Sequence, residues 1–317
     1  MLTGVLFEAS PKPQAYAVVG AGVFGAWTAY HLLSQGHRVI LLDAYGPASS
    51  RASSGGETRI IRCAYGPDEV YTRMAKQSLA LWSDLFSKAN CRNLLRRTGV
   101  LWMARPDNTY AQQSRKTLRE AGVPFRDLSA SDLARSYPQI RLAPGTVAIF
   151  EPESGALMAR QAVHAVVEQF VAQGGVYRQA AIVMPRGNGV LQSIQTTGGE
   201  SITADGFVFA CGPWLGVVFP TLLSRRIFPT RQEVLFFGIP RDRPPFRRPP
   251  CRYGSISATV AACTGFRTWT RVGSKSLLIC MGRRSIRIRT TALCVPRKSP
   301  RRANMWRSAF PLWRMRP

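Results

Sequence analysis

Three glycines and one carboxylate carry the clearest chemistry in this chain. Gly20, Gly22 and Gly25 have the G-x-G-x-x-G spacing within AYAVVGAGVFGAWTAYHLLSQGHRVILLDA, residues 15–44. The first glycine permits a tight turn, the second lets backbone approach a pyrophosphate, and the third lets a helix pack close to a strand. Ala21, Val23 and Phe24 fill the positions between the glycines, so the same turn would hold the cofactor along its length. A helix that begins here offers free N–H groups and a positive dipole end to an anionic phosphate. Asp43 stands 23 residues after Gly20, where a carboxylate can accept hydrogen bonds from an adenosine ribose. The set specifies a dinucleotide site; the glycines alone would equally suit a nicotinamide-dependent dehydrogenase.

Positioning these groups requires strand, turn, helix and strand in that order. Ala15 to Val19 is a short apolar run ended by glycine, and Arg38 to Leu42 is a second. Beyond them, Tyr71 to Phe86 has apolar residues at helical spacing, with Leu79, Leu81, Trp82, Leu85 and Phe86 in one stripe that core packing explains. Ala111 to Ala121 reads as a surface helix. Ser129, Ser131 and Asp132 offer N-cap chemistry before Leu133, and Tyr137-Pro138 ends that short helix. Ser154-Gly155 marks a turn, and Ala162 to Val171 an amphipathic helix closed by Gly174-Gly175. His164 inside it reads as packed or exposed rather than catalytic. Glu151 and Glu153 suggest a carboxylate pair, although a turn before a helix explains them equally. Asn188-Gly189 and Gly198-Gly199 are hairpin signals.

Composition excludes several classes. No apolar run approaches the length of a membrane helix, and the amino terminus lacks a signal-peptide pattern. Seven cysteines without a C-x-x-C pair fit thiols in a reducing cytoplasm rather than a disulfide framework, and no metal site is expected. The formal charge of +26 would ordinarily suggest nucleic acid, but its distribution argues against it. Residues 241–317 hold 19 Lys and Arg against the single acid Asp242, whereas the first 240 hold 24 bases and 16 acids.

After the second strand, SSGGETRIIRCAYG resembles the loop that follows it in monomeric sarcosine oxidase and N-methyltryptophan oxidase, within the D-amino-acid-oxidase-like flavoproteins. Thr58, Arg59 and Arg62 read as entering a helix, with both arginines on one face. The resemblance implies that Ser54 and Thr58 belong to the cofactor loop, that Arg59 lies against a flavin ring, and that Arg62 faces a substrate carboxylate. A guanidinium suits both tasks, since it stacks on rings and grips carboxylates with paired donors. The best-known members carry histidines where this chain has Ser54 and Gly55, and sarcosine oxidase has histidine at Cys63.

AIFEPESGALMARQAVHAVVEQFVAQGG matches the family's strand, E-P-x-S-G turn and helix. By the same resemblance, Val183 in the expected strand Val176 to Pro185 meets the adenine end. In ITADGFVFACGPWLGVVFP, Gly212 would allow close approach under the flavin and Trp214 would pack beside it. FPTRQEVLFFGIP matches the first strand of the catalytic domain, so the resemblance covers about residues 15–240.

The implied architecture is α/β, with α+β character in the second domain. A Rossmann-type FAD-binding domain (1–90 and 151–216) accompanies an incomplete antiparallel-sheet substrate domain (91–150 and 217–240). The implied activity is FAD-dependent oxidation of a secondary or N-methyl amino acid, with O2 reduced to H2O2, by a cytoplasmic monomer whose catalytic residues are Arg59 and Arg62. An inactive flavoprotein remnant is the alternative, and a nucleic-acid binder acting through the tail is a weaker one.

Residues 241–317 form an aberrant basic tail, expected to be poorly ordered. Regrouping the third base of each codon with the first two of the next yields strings resembling the family's missing segment. Trp269-Thr270 must then give aspartate, Met281-Gly282 glycine and Met305-Trp306 valine. A one-register frameshift between about Phe237 and Arg248 accounts for this. The family's oxygen-side lysine and its flavin-linking cysteine motif are absent from the frame as read, and Cys294 is not assigned that role.

Overall fold

The computed structural model describes residues 12–137, 143–185 and 189–229, with the backbone alone of 260–262 and 278–279. The elements run β1 (Ala15–Val19), α1 (Val23–Ser34), β2 (Arg38–Asp43), β3 (Arg59–Ile61), α2 (Glu69–Lys88), β4 (Leu95–Arg96), β5 (Val100–Ala104) and α3 (Thr109–Glu120). Then come β6 (Arg126–Leu128), α4 (Ala130–Ser136), β7 (Val147–Glu151), β8 (Gly155–Leu157), α5 (Ala159–Ala172), β9 (Val176–Gln179), β10 (Ser193–Gln195) and β11 (Ser201–Thr203). The series closes with β12 (Gly206–Phe209), α6 (Leu215–Val218), α7 (Pro220–Leu223), β13 (Val260–Ala262) and β14 (Leu278–Ile279).

The first sheet has the order β12-β1-β2-β9, with every pair parallel. Alternation along β1 and β2 sends Val18 and Leu41 to one face, where they pack with Ala26 and Ala29 of α1 and Val163, Val166 and Phe170 of α5. Ala17, Val19 and Leu42 face the other way, onto Ile182 and the β10–β11 hairpin residues Ile194 and Ile202. Cover on both faces explains why these strands read as unbroken apolar runs. Small residues on the buried face of α1 let it lie close to the sheet.

The second sheet has the order β14-β13-β5-β7-β6. β5 and β6 pair antiparallel with β7, but β13 lies parallel to β5, Val260 opposite Val100. Val100, Trp102 and Ile149 pack with Leu118 of α3 on one side, and Leu101, Met103 and Ala148 with Leu133 of α4 on the other. Ser129 and Asp132 form a reciprocal capping box at the start of α4. Pro138, Asn188, the segment 230–240 and the tail other than β13 and β14 lie outside the described residues.

A small third sheet, β3-β8-β4, corrects one expectation. Arg59–Ile61 is a strand, not the start of a helix, paired antiparallel with β8 so that Arg59 stands opposite Leu157 and Ile61 opposite Gly155. The β-branched Ile60-Ile61 pair prefers extended backbone, and β8 supplies the partner. In extended chain, positions three apart diverge, so Arg59 and Arg62 do not share a face. No helix among the described residues is long and apolar enough to cross a membrane.

Candidate cofactor and substrate site

The glycine turn has the geometry its spacing demands. Gly20 has φ of 105°, and a Cβ there would lie 2.5 Å from the Ala210 carbonyl oxygen. A Cβ on Gly25 would lie 1.7 Å from the Gly20 oxygen, so α1 approaches β1 only because this position is bare. At Gly22 a Cβ would meet Ser54 Oγ alone, at 3.3 Å, so this backbone opens onto free space. The Val23 N–H, first in α1, donates to Ser54 Oγ at 3.1 Å. That hydroxyl keeps its own hydrogen to donate.

Asp43 ends β2 with both carboxylate oxygens engaged by backbone. Oδ2 accepts from the Ala21 N–H and Oδ1 from the Tyr45 N–H, each at 2.7 Å. A carboxylate has about four lone-pair sites, so capacity remains for ribose hydroxyls. Burial first, and then the Asp43 charge, pushes up the Tyr177 phenol and the Cys211 thiol, the latter to about 12.

A cavity of about 350 Å³ lies over this turn. Gly20, Gly22, Val23, Phe24, Asp43 and Ser54 line it toward the first sheet, and Arg59, Gly212 and Trp214 line it as well. Ala21, Gly25, Thr58 and Val183 do not. Ala21 spends its N–H on Asp43, Gly25 packs beneath the turn, and the Thr58 carbonyl accepts from Arg59 Nη1 at 2.8 Å. Val183 donates its N–H to Gln195 at 2.7 Å, while its neighbours Ala180, Ala181 and Ile182 reach the cavity.

Arg59 is held by its own loop. Nη2 donates to the Ser53 carbonyl at 2.9 Å, and a Cβ on Gly56 would lie 2.1 Å from Nη1. At Gly55 a Cβ would lie 1.8 Å from the Ser49 backbone oxygen, so that glycine is required by close approach. Arg51, which the sequence reading passed over, also lines the cavity, its guanidinium 4.3 Å from the Tyr45 ring centroid. Its signal was a cation in the loop that follows Asp43.

Arg62 lies outside the lining of this cavity, in an aromatic box. Its guanidinium carbon is 4.3 Å from the ring centroids of both Tyr65 and Trp102. Nη1 donates to the Ala64 carbonyl, and the Tyr110 hydroxyl is hydrogen-bonded to the same guanidinium. Burial raises the Tyr110 phenol, with Arg62 pulling the other way. Neither Arg59 nor Arg62 has a carboxylate partner among the described residues.

Glu151, which the sequence left open between a carboxylate pair with Glu153 and a turn before a helix, is buried beside this box. It accepts from the Cys63 and Ala64 amides, the Trp102 indole and the Ser154 hydroxyl. Glu153 makes no pair with it. Burial and then the Glu151 charge push the Cys63 thiol up to about 12. His164 lies half-buried on α5, away from the cavity, and the described residues contain no cluster able to hold a metal.

A parallel sheet, a bare glycine turn at the start of its first helix and an acid at the end of its second strand define a Rossmann-type dinucleotide-binding fold. The chain belongs to the family of FAD-dependent oxidoreductases whose model matches residues 15–287, which extends the match beyond Pro240 into the basic tail. It is 34% identical to human peroxisomal sarcosine oxidase over 197 residues, 62% of this chain and 50% of that protein. It is 31% identical over 223 residues to monomeric sarcosine oxidase of a Bacillus species, covering 69% and 57% of the two chains. Among solved structures it is similar to NikD, an unusual amino acid oxidase essential for nikkomycin biosynthesis. The TM-score is 0.53 at 26% identity, covering 65% of this chain and 53% of NikD. The chain spans about half the length of the curated relatives it matches.

Proposed function

We propose that this chain oxidises a secondary or N-methyl amino acid to an imine. The observation carrying the reading is that Gly22 and Asp43 share one cavity with Arg59, Gly212 and Trp214. The residues fit FAD: the open Gly22 backbone and the Ser54 hydroxyl suit a diphosphate, and the remaining lone pairs of Asp43 suit a ribose. When bound, FAD supplies the oxidant, taking two electrons from the carbon beside the amine nitrogen and passing them to dioxygen to give hydrogen peroxide, while water hydrolyses the imine.

The protein's contribution is placement and charge. Arg59, fixed by two carbonyls, presents positive charge along the cavity wall, which stabilises electron density arriving there. Arg62, a cation with no carboxylate partner among the described residues, is suited to anchor the substrate carboxylate. Purified protein should therefore carry a flavin absorption band and produce peroxide with N-methylglycine. A protein without the band refutes the reading of the cavity.

A second reading, a flavin-binding remnant without turnover, rests on residues 241–317, which hold 19 Lys and Arg against one acid where the resemblance expects a catalytic segment. It predicts the band without peroxide from any N-methyl amino acid. Whether the molecule is a monomer, and where it resides, follow from gel filtration and fractionation.

A further inference from the structure

We propose that Glu151 is a positioning residue for Arg62, holding the turn 62–66 in the shape that places the guanidinium in its aromatic box. This rests on the reading of Arg62 as the carboxylate anchor.

Glu151 is 1% exposed, so it touches no substrate. Its Oε2 accepts from the Cys63 N–H at 2.6 Å and the Ser154 hydroxyl at 2.8 Å. Oε1 accepts from the Ala64 N–H at 3.2 Å and the Trp102 indole N–H at 3.1 Å. No cation pairs with it among the described residues. The buried charge is balanced by four donors instead.

Those donors are not scattered. Two are the amides of the residues just after Arg62, and a third belongs to Trp102, one wall of the box. One carboxylate thus fixes both the backbone from which Arg62 springs and the ring over which its guanidinium lies. The far end of the turn is pinned separately. Gly66 donates to Ser114 Oγ at 2.9 Å, and its carbonyl accepts from Thr117 Oγ1 at 3.0 Å. A Cβ on Gly66 would lie 2.3 Å from the Tyr110 ring, so the third aromatic packs directly on the turn. With Gly66 held, the orientation of residues 62–64 depends on Glu151.

Replacing Glu151 by Gln keeps the shape but puts an N–H₂ in place of one oxygen, which confronts donors already pointing at it. The turn must then move. A merely structural role would cost stability without touching ligand recognition. A positioning role weakens binding of carboxylates specifically.

The test titrates FAD-loaded full-length protein with acetate and, separately, with uncharged acetamide, following the visible flavin band. E151Q should keep its flavin and its acetamide response but bind acetate at least about tenfold more weakly, as should R62Q. E151D, whose carboxylate is too short to reach all four donors, should be weakened in the same sense and serves if E151Q does not fold. If R62Q loses acetate while E151Q, or failing that E151D, binds it as the unaltered protein does, the positioning role is overturned and the Arg62 reading stands. If R62Q binds acetate normally, or the unaltered protein gives no acetate response, the Arg62 reading fails and this inference falls with it.

Discussion

Gly25 shows how much one missing atom can decide. With a Cβ 1.7 Å from the Gly20 oxygen, Gly25→Ala cannot be absorbed without moving α1 from β1. We expect a loss of at least about 1–3 kcal/mol in urea denaturation and no flavin band on purification. Asp43→Ala strips two amides of their acceptor, which should cost about 1–3 kcal/mol and weaken FAD in a fluorescence-quenching titration. The buried Cys63 and half-buried Cys211 thiols give a pH dependence. Cys63 and Cys211 are raised from an ordinary value of 9.0 to about 12, so between these values the unfolded chain has released protons that the folded chain keeps. Stability is therefore fully present below pH 9 and falls as pH rises through this window. The fall in denaturation midpoint from pH 8 to 10.5 should be shallower in the C63A/C211A double variant.

Among elements, β8 carries the most for its length. Its three residues join β3, the strand of Arg59, to β4, and a Cβ on Gly155 would lie 2.0 Å from the Arg96 oxygen. Gly155→Ala should part β8 from β4 and destabilise the fold by more than Gly145→Ala, where the added atom meets nothing within 4 Å, although that position has φ of 72°. Comparing their urea midpoints tests this. The turn at Ser154-Gly155 was legible as a turn, but not as a strand that collects two distant partners. The same blindness misread Arg59–Ile61. A three-residue strand has too few positions to show a period of two, and its partner lies almost a hundred residues further on.

At the scale of the molecule, charge and sheet edge meet in the tail. β13 lies along β5, so removing residues 241–317 leaves the outer edge of β5 unpaired. Such a truncation should retain the β1–β2 cofactor elements yet show concentration-dependent light scattering absent from the full chain. Deletion also removes 19 of the 43 basic residues, so any salt-sensitive retention on polyanions should fall with it.

The glycine turn and the strand–helix–strand order around it could be read directly from residues 15–44, because each depends on backbone geometry within one local unit. Arg59 was found by resemblance, and it lines the same cavity as the glycine turn. Only the tertiary fold decided that Arg62 stands apart in an aromatic box and that Glu151 reaches Cys63 across 88 residues. No local pattern announces such a bond. Its cause is burial: two amides and an indole removed from water need an acceptor, and the acceptor is whichever group the returning chain delivers.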